Sequence, residues 1–181
     1  SPNNQTFSLP VDPIYDDDTT EVPCLDNIAI AINGIVIYGA NEGPQPDPFG
    51  DPLATGAAVF TDSTFGHPGG QNDYHYHALH TLQDAMYPDW PEDAPSPVLG
   101  FAYDGFPIYG DKGCKDEACS EVVTFESSWE LTAGADPTEY AWDAYQCTAG
   151  TCDAPAGTKL DRCNGRMGPD GNYRYHATSS F

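Results

Sequence analysis

Histidine and tyrosine alternate strictly in Tyr74-His75-Tyr76-His77, and this spacing of imidazoles is the pattern in the chain best suited to chemistry. A β-strand has a side-chain period of two, so His75 and His77 are expected on one face and the two tyrosines on the other. Residues 69–73, which are Gly, Gly, Gln, Asn and Asp, are typical of a turn that leads into a strand. The pattern therefore predicts a strand that presents two imidazoles side by side.

Two imidazoles on one strand face lie within joint reach of one metal ion, and imidazole suits zinc and copper. His75 and His77 are therefore candidate ligands, and His67 and His176 are candidates to complete the site, with His80 as an alternative. Zinc or copper is the only cofactor that the residues suggest. The competing interpretation is a buried hydrogen-bond network in which these rings pair with tyrosine hydroxyls and backbone groups.

Two apolar hairpins precede strands of this kind. Residues 28–39 form the first, with Asn-Gly at its turn, and residues 98–110 form the second, with Asp-Gly; both end in Ile-Tyr-Gly. A second aromatic strand follows the second hairpin at residues 173–176, where the sequence is Tyr-Arg-Tyr-His. This repeat indicates an internal duplication, with halves at residues 24–97 and 98–181.

Helix-forming stretches are scarce in a chain of 181 residues that contains 18 Gly and 17 Pro. This composition favours short strands and turns, and residues 79–86, which end before Pro88, are the best candidate for one short helix. The length is sufficient for one domain with a buried core. The sequence therefore predicts a mainly β fold with short helices, in a single compact domain of two related halves.

Six cysteines form an even set that predicts disulfides. The favoured pairs, two of them local, are Cys114 with Cys119, Cys147 with Cys152, and Cys24 with Cys163. A zinc site is the alternative, but this spacing without a nearby histidine pair is a poor match to structural zinc sites. The pair of Cys24 and Cys163 would tie the N-terminal part to the last strand, and disulfides imply an oxidising compartment.

Residues 1–23 form a polar, extended N-terminal segment. Phe7, Leu9 and Val11 alternate with other residues, and Pro10 confines any strand here to the edge of a sheet. The segment is expected either to pair with the chain's own sheet or to be donated to a neighbouring subunit. In the second case the apolar side chains would enter pockets of the neighbour, and contacts of this head-to-tail kind build rings or filaments.

Acidic residues outnumber basic residues by 28 to 6, which gives a net charge of −22. This charge disfavours nucleic acid, whose phosphates require Lys and Arg, and anionic membrane surfaces. The sequence has no initiator Met, no signal peptide and no apolar run long enough to span a bilayer. We therefore expect a mature or trimmed exported protein. Asn4 begins a glycosylation sequon. The sequence therefore predicts an extracellular glycoprotein without membrane insertion.

Catalysis has weak support in the sequence. No Ser or Cys lies in a recognisable nucleophile motif. Asp73, Asp104 and Asp161 adjoin the motifs and are candidates for acid–base chemistry or for orienting a histidine, although turn formation explains their placement. Stacking of sugars on the three tryptophans is a further alternative, which their irregular spacing disfavours. A non-enzymatic role is therefore favoured.

The chain as a whole resembles the YHYH domain family, which is named for the tetrapeptide at residues 74–77. The motifs that carry the resemblance lie in the family's order and are Leu9-Pro10, residues 30–34, Gly66-His67-Pro68, residues 99–110 and residues 160–165. The resemblance extends from about residue 6 to the end of the chain. It implies an extracellular domain of uncertain role, in a family whose members are sometimes suspected of binding metal.

Two positions depart from the family's pattern. Arg166 and Arg174 occupy positions at which the family usually has histidine. A guanidinium cannot ligate a cation and repels one, so no metal is expected in the second half. We therefore predict a secreted, non-enzymatic structural or binding domain that self-associates through its N-terminal strand. The alternative is a copper- or zinc-binding protein, or a metal-dependent enzyme, that uses His75 and His77.

Overall fold

The computed structural model describes the chain in six stretches, which are residues 6–22, 25–39, 61–69, 73–137, 144–148 and 150–180. Short strands dominate these stretches, together with one short helix, α1 (Leu82–Met86). The strands are β1 (Asn27–Ala31), β2 (Val36–Tyr38), β3 (Gly66–Pro68), β4 (Tyr74–Tyr76), β5 (Val98–Ala102), β6 (Pro107–Tyr109), β7 (Lys112–Cys114), β8 (Val122–Thr124), β9 (Trp129–Leu131), β10 (Tyr145–Cys147), β11 (Gly165–Met167) and β12 (Tyr173–His176). The fold is mainly β and compact, as the sequence predicts.

Eight strands form one sheet in the order β11-β12-β6-β5-β1-β2-β4-β3. β1 and β5 pair antiparallel at its centre. On one side, β2 pairs antiparallel with β1, β4 parallel with β2, and β3 antiparallel with β4. On the other side, β6, β12 and β11 repeat this sequence of pairings outward from β5. The two Tyr/His strands, β4 and β12, therefore lie near opposite ends of the sheet. This arrangement is compatible with two related halves, whose common ancestry stays a prediction.

The two central hairpins form where the sequence predicts them, because each has a residue pair suited to a tight turn. Gly34 and Gly105 adopt positive φ angles of 85° and 96°, which glycine accepts without a steric penalty. The preceding Asn33 accepts a hydrogen bond from the N–H of Ile35 at 3.2 Å. Asp104 accepts one from the N–H two residues later at 3.0 Å. Short polar side chains thus close both turns.

A continuous apolar core lies against the first half of the sheet. Its buried members are Ala29, Ala31, Ile37, Tyr76, Leu79, Leu82 and Leu99. The buried face of α1 contributes Leu82. None of the described residues belongs to a helix of the length and apolarity that a membrane span requires.

Two disulfides close short loops, Cys114 with Cys119 and Cys147 with Cys152. The first joins the end of β7 to Cys119 in the loop before β8, and β10 ends at Cys147 in the second. The thiol of Cys163 is exposed and lies outside both disulfides. Cys24 lies outside the described residues, so its pairing stays a prediction.

Peptide mapping of the unreduced protein is expected to recover Cys24 covalently joined to Cys163. The two local disulfides use four of the six cysteines, which leaves these two as each other's only intramolecular partners. The measurement is digestion after alkylation, followed by mass spectrometry with and without reductant. Stoichiometric alkylation of Cys163 in the unreduced protein would contradict the pairing.

The N-terminal segment lies on the domain without joining its sheet: residues 6–22 contain no strand. Phe7 stacks on Tyr103 with ring centroids 5.7 Å apart, and Tyr15 contacts Tyr173 at 4.9 Å. Val11, between these two contacts, is fully exposed. The predicted edge strand on the chain's own sheet is therefore absent from the described part of the segment. Asn4 lies outside the described residues, and its glycosylation stays a prediction.

Candidate metal centre

The hairpin of β3 and β4 places His67 directly opposite His75. Asp62 fixes the chain before β3, because its carboxylate accepts hydrogen bonds from the N–H of Gly66 (3.3 Å) and from the hydroxyl of Tyr74. Burial raises the pKa of Asp62, but the hydrogen bonds that its carboxylate accepts from Tyr74, Thr64 and Gly66 together outweigh burial and hold this pKa below its usual value. Gly66 has no side chain, and the Tyr74 ring occupies the space that a Cβ would need.

The imidazoles of His67, His75 and His77 converge on one point. Nε2 of His77 lies 3.0 Å from Nε2 of His67 and 3.1 Å from Nε2 of His75. Ligand nitrogens of all three residues lie within 4.8 Å of one another. Nitrogens bound at about 2.0–2.1 Å to one tetrahedral ion are roughly 3.4 Å apart. The observed separations are therefore close to those that a single ion requires.

Backbone carbonyls set the tautomer of two of these rings. Nδ1 of His77 donates to the carbonyl oxygen of Gly39 (2.8 Å), and Nδ1 of His75 donates to that of Asp73 (3.2 Å). A carbonyl oxygen only accepts, so each Nδ1 carries the proton and each Nε2 presents a lone pair. The two Nε2 atoms lie 3.1 Å apart, a separation that needs a proton or another cation shared between their lone pairs. Metal-ligating imidazoles are commonly oriented by such acceptors on the second nitrogen.

Aromatic packing immobilises the cluster. His75 and His77 are buried, and Tyr38 stacks on His75 with ring centroids 4.1 Å apart. Tyr74 and Tyr76 contact each other separately, with centroids 5.6 Å apart. The imidazoles and the phenols of residues 74–77 are thus sorted into two groups, as the alternation predicts, although β4 ends at Tyr76 and His77 directly follows it.

Sequence reasoning missed Tyr38 and Gly39, which respectively stack on His75 and accept from His77. The available signal was the Ile-Tyr-Gly ending that both hairpins share. In the second hairpin the corresponding glycine, Gly110, also accepts a hydrogen bond from a histidine Nδ1. The glycine shared by the two hairpins therefore indicated a backbone carbonyl that accepts a hydrogen bond from a histidine of the following Tyr/His motif.

The outer hairpin of the second half repeats this scaffold with different side chains. Asp161 accepts from the N–H of Gly165 (2.8 Å) and from the hydroxyl of Tyr173 (2.6 Å). Arg166 on β11 lies directly opposite Arg174 on β12. The scaffold that brings histidines together in the first half thus brings two guanidinium groups together in the second.

His176 is the proposed ligand that the structure places elsewhere, at the end of β12. Four strands of the sheet separate β12 from β4. Nδ1 of His176 donates to the carbonyl of Gly110 (2.7 Å), and Nε2 accepts from Nε of Arg166 (3.2 Å). The guanidinium occupies the lone pair through which the ring would bind an ion. Burial, reinforced by the charge of Arg166, lowers the pKa of His176 to about 4.

Replacement of His176 by Asn is expected to remove part of the protein's sensitivity to acid. The native state keeps this ring neutral down to about pH 4, whereas the unfolded chain takes up the proton near about pH 6.5. The resulting stability is complete above about pH 6.5 and is lost as the pH falls towards about 4, by about 3 kcal/mol.

The measurement is urea unfolding of both proteins at neutral pH and at about pH 4, with a chelator present throughout. The chelator makes the cluster at His67, His75 and His77 equivalent in the two proteins. We expect the wild-type protein to lose more stability than His176→Asn. Equal losses would show that the ring is not held neutral.

The remaining candidates have structural roles. His80 packs on Phe65 with ring centroids 4.6 Å apart, and burial lowers its pKa. Asp73 supplies a backbone acceptor to the cluster. Asp104 and Asp161 accept hydrogen bonds from the hydroxyls of β12 tyrosines. These carboxylates thus hold strands and turns in place.

A family model described as YHYH protein matches residues 6–181, which is nearly the whole chain. No curated protein and no solved structure matches the chain.

Proposed function

The chain belongs to the YHYH protein family, and we propose that it is a metal-binding protein in which His67, His75 and His77 hold one zinc or copper ion. The observation that carries this proposal is the convergence of three imidazoles: Nε2 of His77 lies 3.0 and 3.1 Å from Nε2 of His67 and His75, and ligand nitrogens of all three residues lie within 4.8 Å of one another. Tautomers fixed by Gly39 and Asp73 aim lone pairs at the shared point.

The donor set supports the choice of metal. Imidazole nitrogen suits zinc and copper, and divalent copper binds a given nitrogen site more tightly than zinc. Bound there, either ion would supply a positive centre that polarises a group bound to it. His75 supports the site from β4 and His77 from the residue directly after this strand, and His67 closes the site from β3. Burial of two of the rings protects the site from competing water.

The test is the metal content of the full chain after removal of metal and reloading with Zn²⁺ or Cu²⁺ alone. We expect one ion per chain by elemental analysis and a single saturable phase by calorimetry. His77→Ala is expected to abolish this binding, because His77 contacts both other ligands. His176→Ala is the matched control, since it removes a buried histidine at the equivalent place in the second half.

Equal binding by wild-type protein and His77→Ala would overturn the proposal, as would the absence of saturable binding in the wild type. Loss of binding in both histidine variants would indicate a general loss of folding. Circular dichroism of each variant distinguishes that case, and His67→Gln then replaces His77→Ala, because His67 is less buried.

A second candidate function is a secreted, repeating subunit of an extracellular assembly, joined through the N-terminal segment. The exposure of Val11 and Ile14 favours it, because large apolar side chains with no cover on their own domain are suited to a neighbour's surface. Phe7 and Leu9 are only partly buried. Disulfides would make each subunit durable outside the cell.

Light scattering of the full chain tests assembly, with Val11→Asp as the disruptive variant. The control is a substitution of Asp16 by Asn, at an exposed position in the same segment. We expect oligomers that dissociate with Val11→Asp and persist in the control. A monomer at all concentrations would exclude this role.

A further inference from the structure

A cavity of about 220 Å³ lies at the second Tyr/His strand, far from the histidine cluster. The lining residues that matter most are Lys112, Arg166, Arg174 and His176. The chain has only 6 Lys and Arg residues, and half of them line this one cavity. Three basic side chains thus meet three acidic ones in this lining, a far more basic balance than that of the whole chain, whose net charge is −22.

The two guanidinium groups lie on directly opposed residues of neighbouring strands, where like charges destabilise the pair. Arg166 has neutral partners: it donates to His176 Nε2 and to the carbonyl of Cys114, each at 3.2 Å, and it stacks on Phe125 at 4.0 Å. Burial and the charge of Arg174 lower the pKa of Arg166. The charge of Arg166 is thus incompletely compensated.

Arg174 has one acidic partner, Asp170, which contacts its Nη2. Its side chain is 16% exposed and that of Asp170 is 50% exposed, so water screens the carboxylate more than the guanidinium. Nε of Arg174 is buried and makes no hydrogen bond within the described residues. Buried donors of this kind are normally satisfied.

Acidic residues also line the cavity, at its more exposed parts. Asp116 accepts from the hydroxyl and the N–H of Ser120. Glu117 and Asp170 are exposed. The carboxylates therefore lie where water screens them, whereas the guanidinium groups lie against the sheet.

We propose that this cavity is a binding site for a small oxyanion, a carboxylate or a phosphate, held between Arg166 and Arg174. Planar guanidinium groups match both anions with paired N–H donors. An anion between the two charges would relieve their repulsion. A cavity of this size accommodates an anion of a few carbon atoms as readily as inorganic phosphate. The second half would thus bind an anion where the first half has a site for a cation.

The test is a titration of the full chain, in the presence of a chelator, with inorganic phosphate and separately with succinate. The readout is the ¹H–¹⁵N resonance of the arginine Nε groups, with calorimetry for affinity. We expect saturable shifts of Arg166 and Arg174 at millimolar or lower anion, and the tighter of the two ligands identifies the anion. Arg174→Gln is expected to weaken binding about tenfold or more.

Arg162→Gln is the matched control, because Arg162 forms a surface ion pair with Asp153 outside the cavity. It should leave both titrations unchanged. Arg166→Lys keeps the charge and removes the paired donors, so it should weaken binding even where Arg174→Gln fails to fold. Equal affinity in Arg166→Lys and the wild type, or no saturable shift with either anion, would overturn the proposal.

Discussion

Removal of divalent metal with EDTA is expected to lower the free energy of unfolding of the wild-type protein by about 3 kcal/mol, relative to protein at a free ion concentration roughly one hundred times the dissociation constant. The ion binds the folded state, in which Nε2 of His77 lies 3.0 and 3.1 Å from the other two ligand nitrogens. The unfolded chain does not hold these nitrogens together, so binding energy becomes folding energy. Urea unfolding with added Zn²⁺ and with EDTA measures the difference.

Two variants separate this effect from non-specific binding to an acidic surface. His77→Ala is expected to unfold at the same urea concentration with Zn²⁺ and with EDTA, since it lacks the central ligand. His176→Ala should keep the full response, because its ring pairs with Arg166 instead. A wild-type protein whose midpoint does not change on adding EDTA would contradict the metal site.

Replacement of Leu99 by Ala is expected to cause a large loss of stability, about 2–5 kcal/mol. Leu99 is fully buried on β5, with a relative exposure of 0%. It belongs to the cluster of Ala31, Ile37 and Leu82 that joins the sheet to α1. Truncation removes apolar contacts and leaves a cavity that the neighbouring backbone cannot fill.

Leu131→Ala is the matched control, because the same chemical change is made at a side chain that is 48% exposed. We expect it to cost well under about 1 kcal/mol. Chemical unfolding of both variants in EDTA measures the two losses without a contribution from metal. Similar losses at the two positions would contradict the core as described.

The sequence predicted the site to the extent that local patterns determine it. Alternation within residues 74–77 was sufficient to place His75 and His77 side by side, because a strand alternates its side chains regardless of its neighbours. The turns at Asn33-Gly34 and Asp104-Gly105 were predictable for the same reason, since the preference for positive φ is local. The short local disulfides also required only sequence spacing.

The third histidine of the cluster could not be chosen from the sequence, because it depends on which strands are neighbours. His67 reaches the cluster through the register of β3 on β4, which sets it opposite His75. His176 had the same residue type and a matching motif, but sheet order separates its strand from β4 by four others. The pairing of β1 with β5 joins residues about 70 positions apart in the sequence. Long-range pairing of this kind leaves no periodic pattern.

The separation of β4 from β12 has an electrostatic consequence. Five strand spacings of about 4.8 Å place the two strands roughly 24 Å apart, and this exceeds the Debye length of about 8 Å at physiological ionic strength. A change of charge at the histidine cluster therefore has only a weak electrostatic effect on Arg166 and Arg174. Coupling between the two sites would require a structural change transmitted through the paired strands β1 and β5. Without such a change, a ligand at one site should leave the affinity of the other site unaltered.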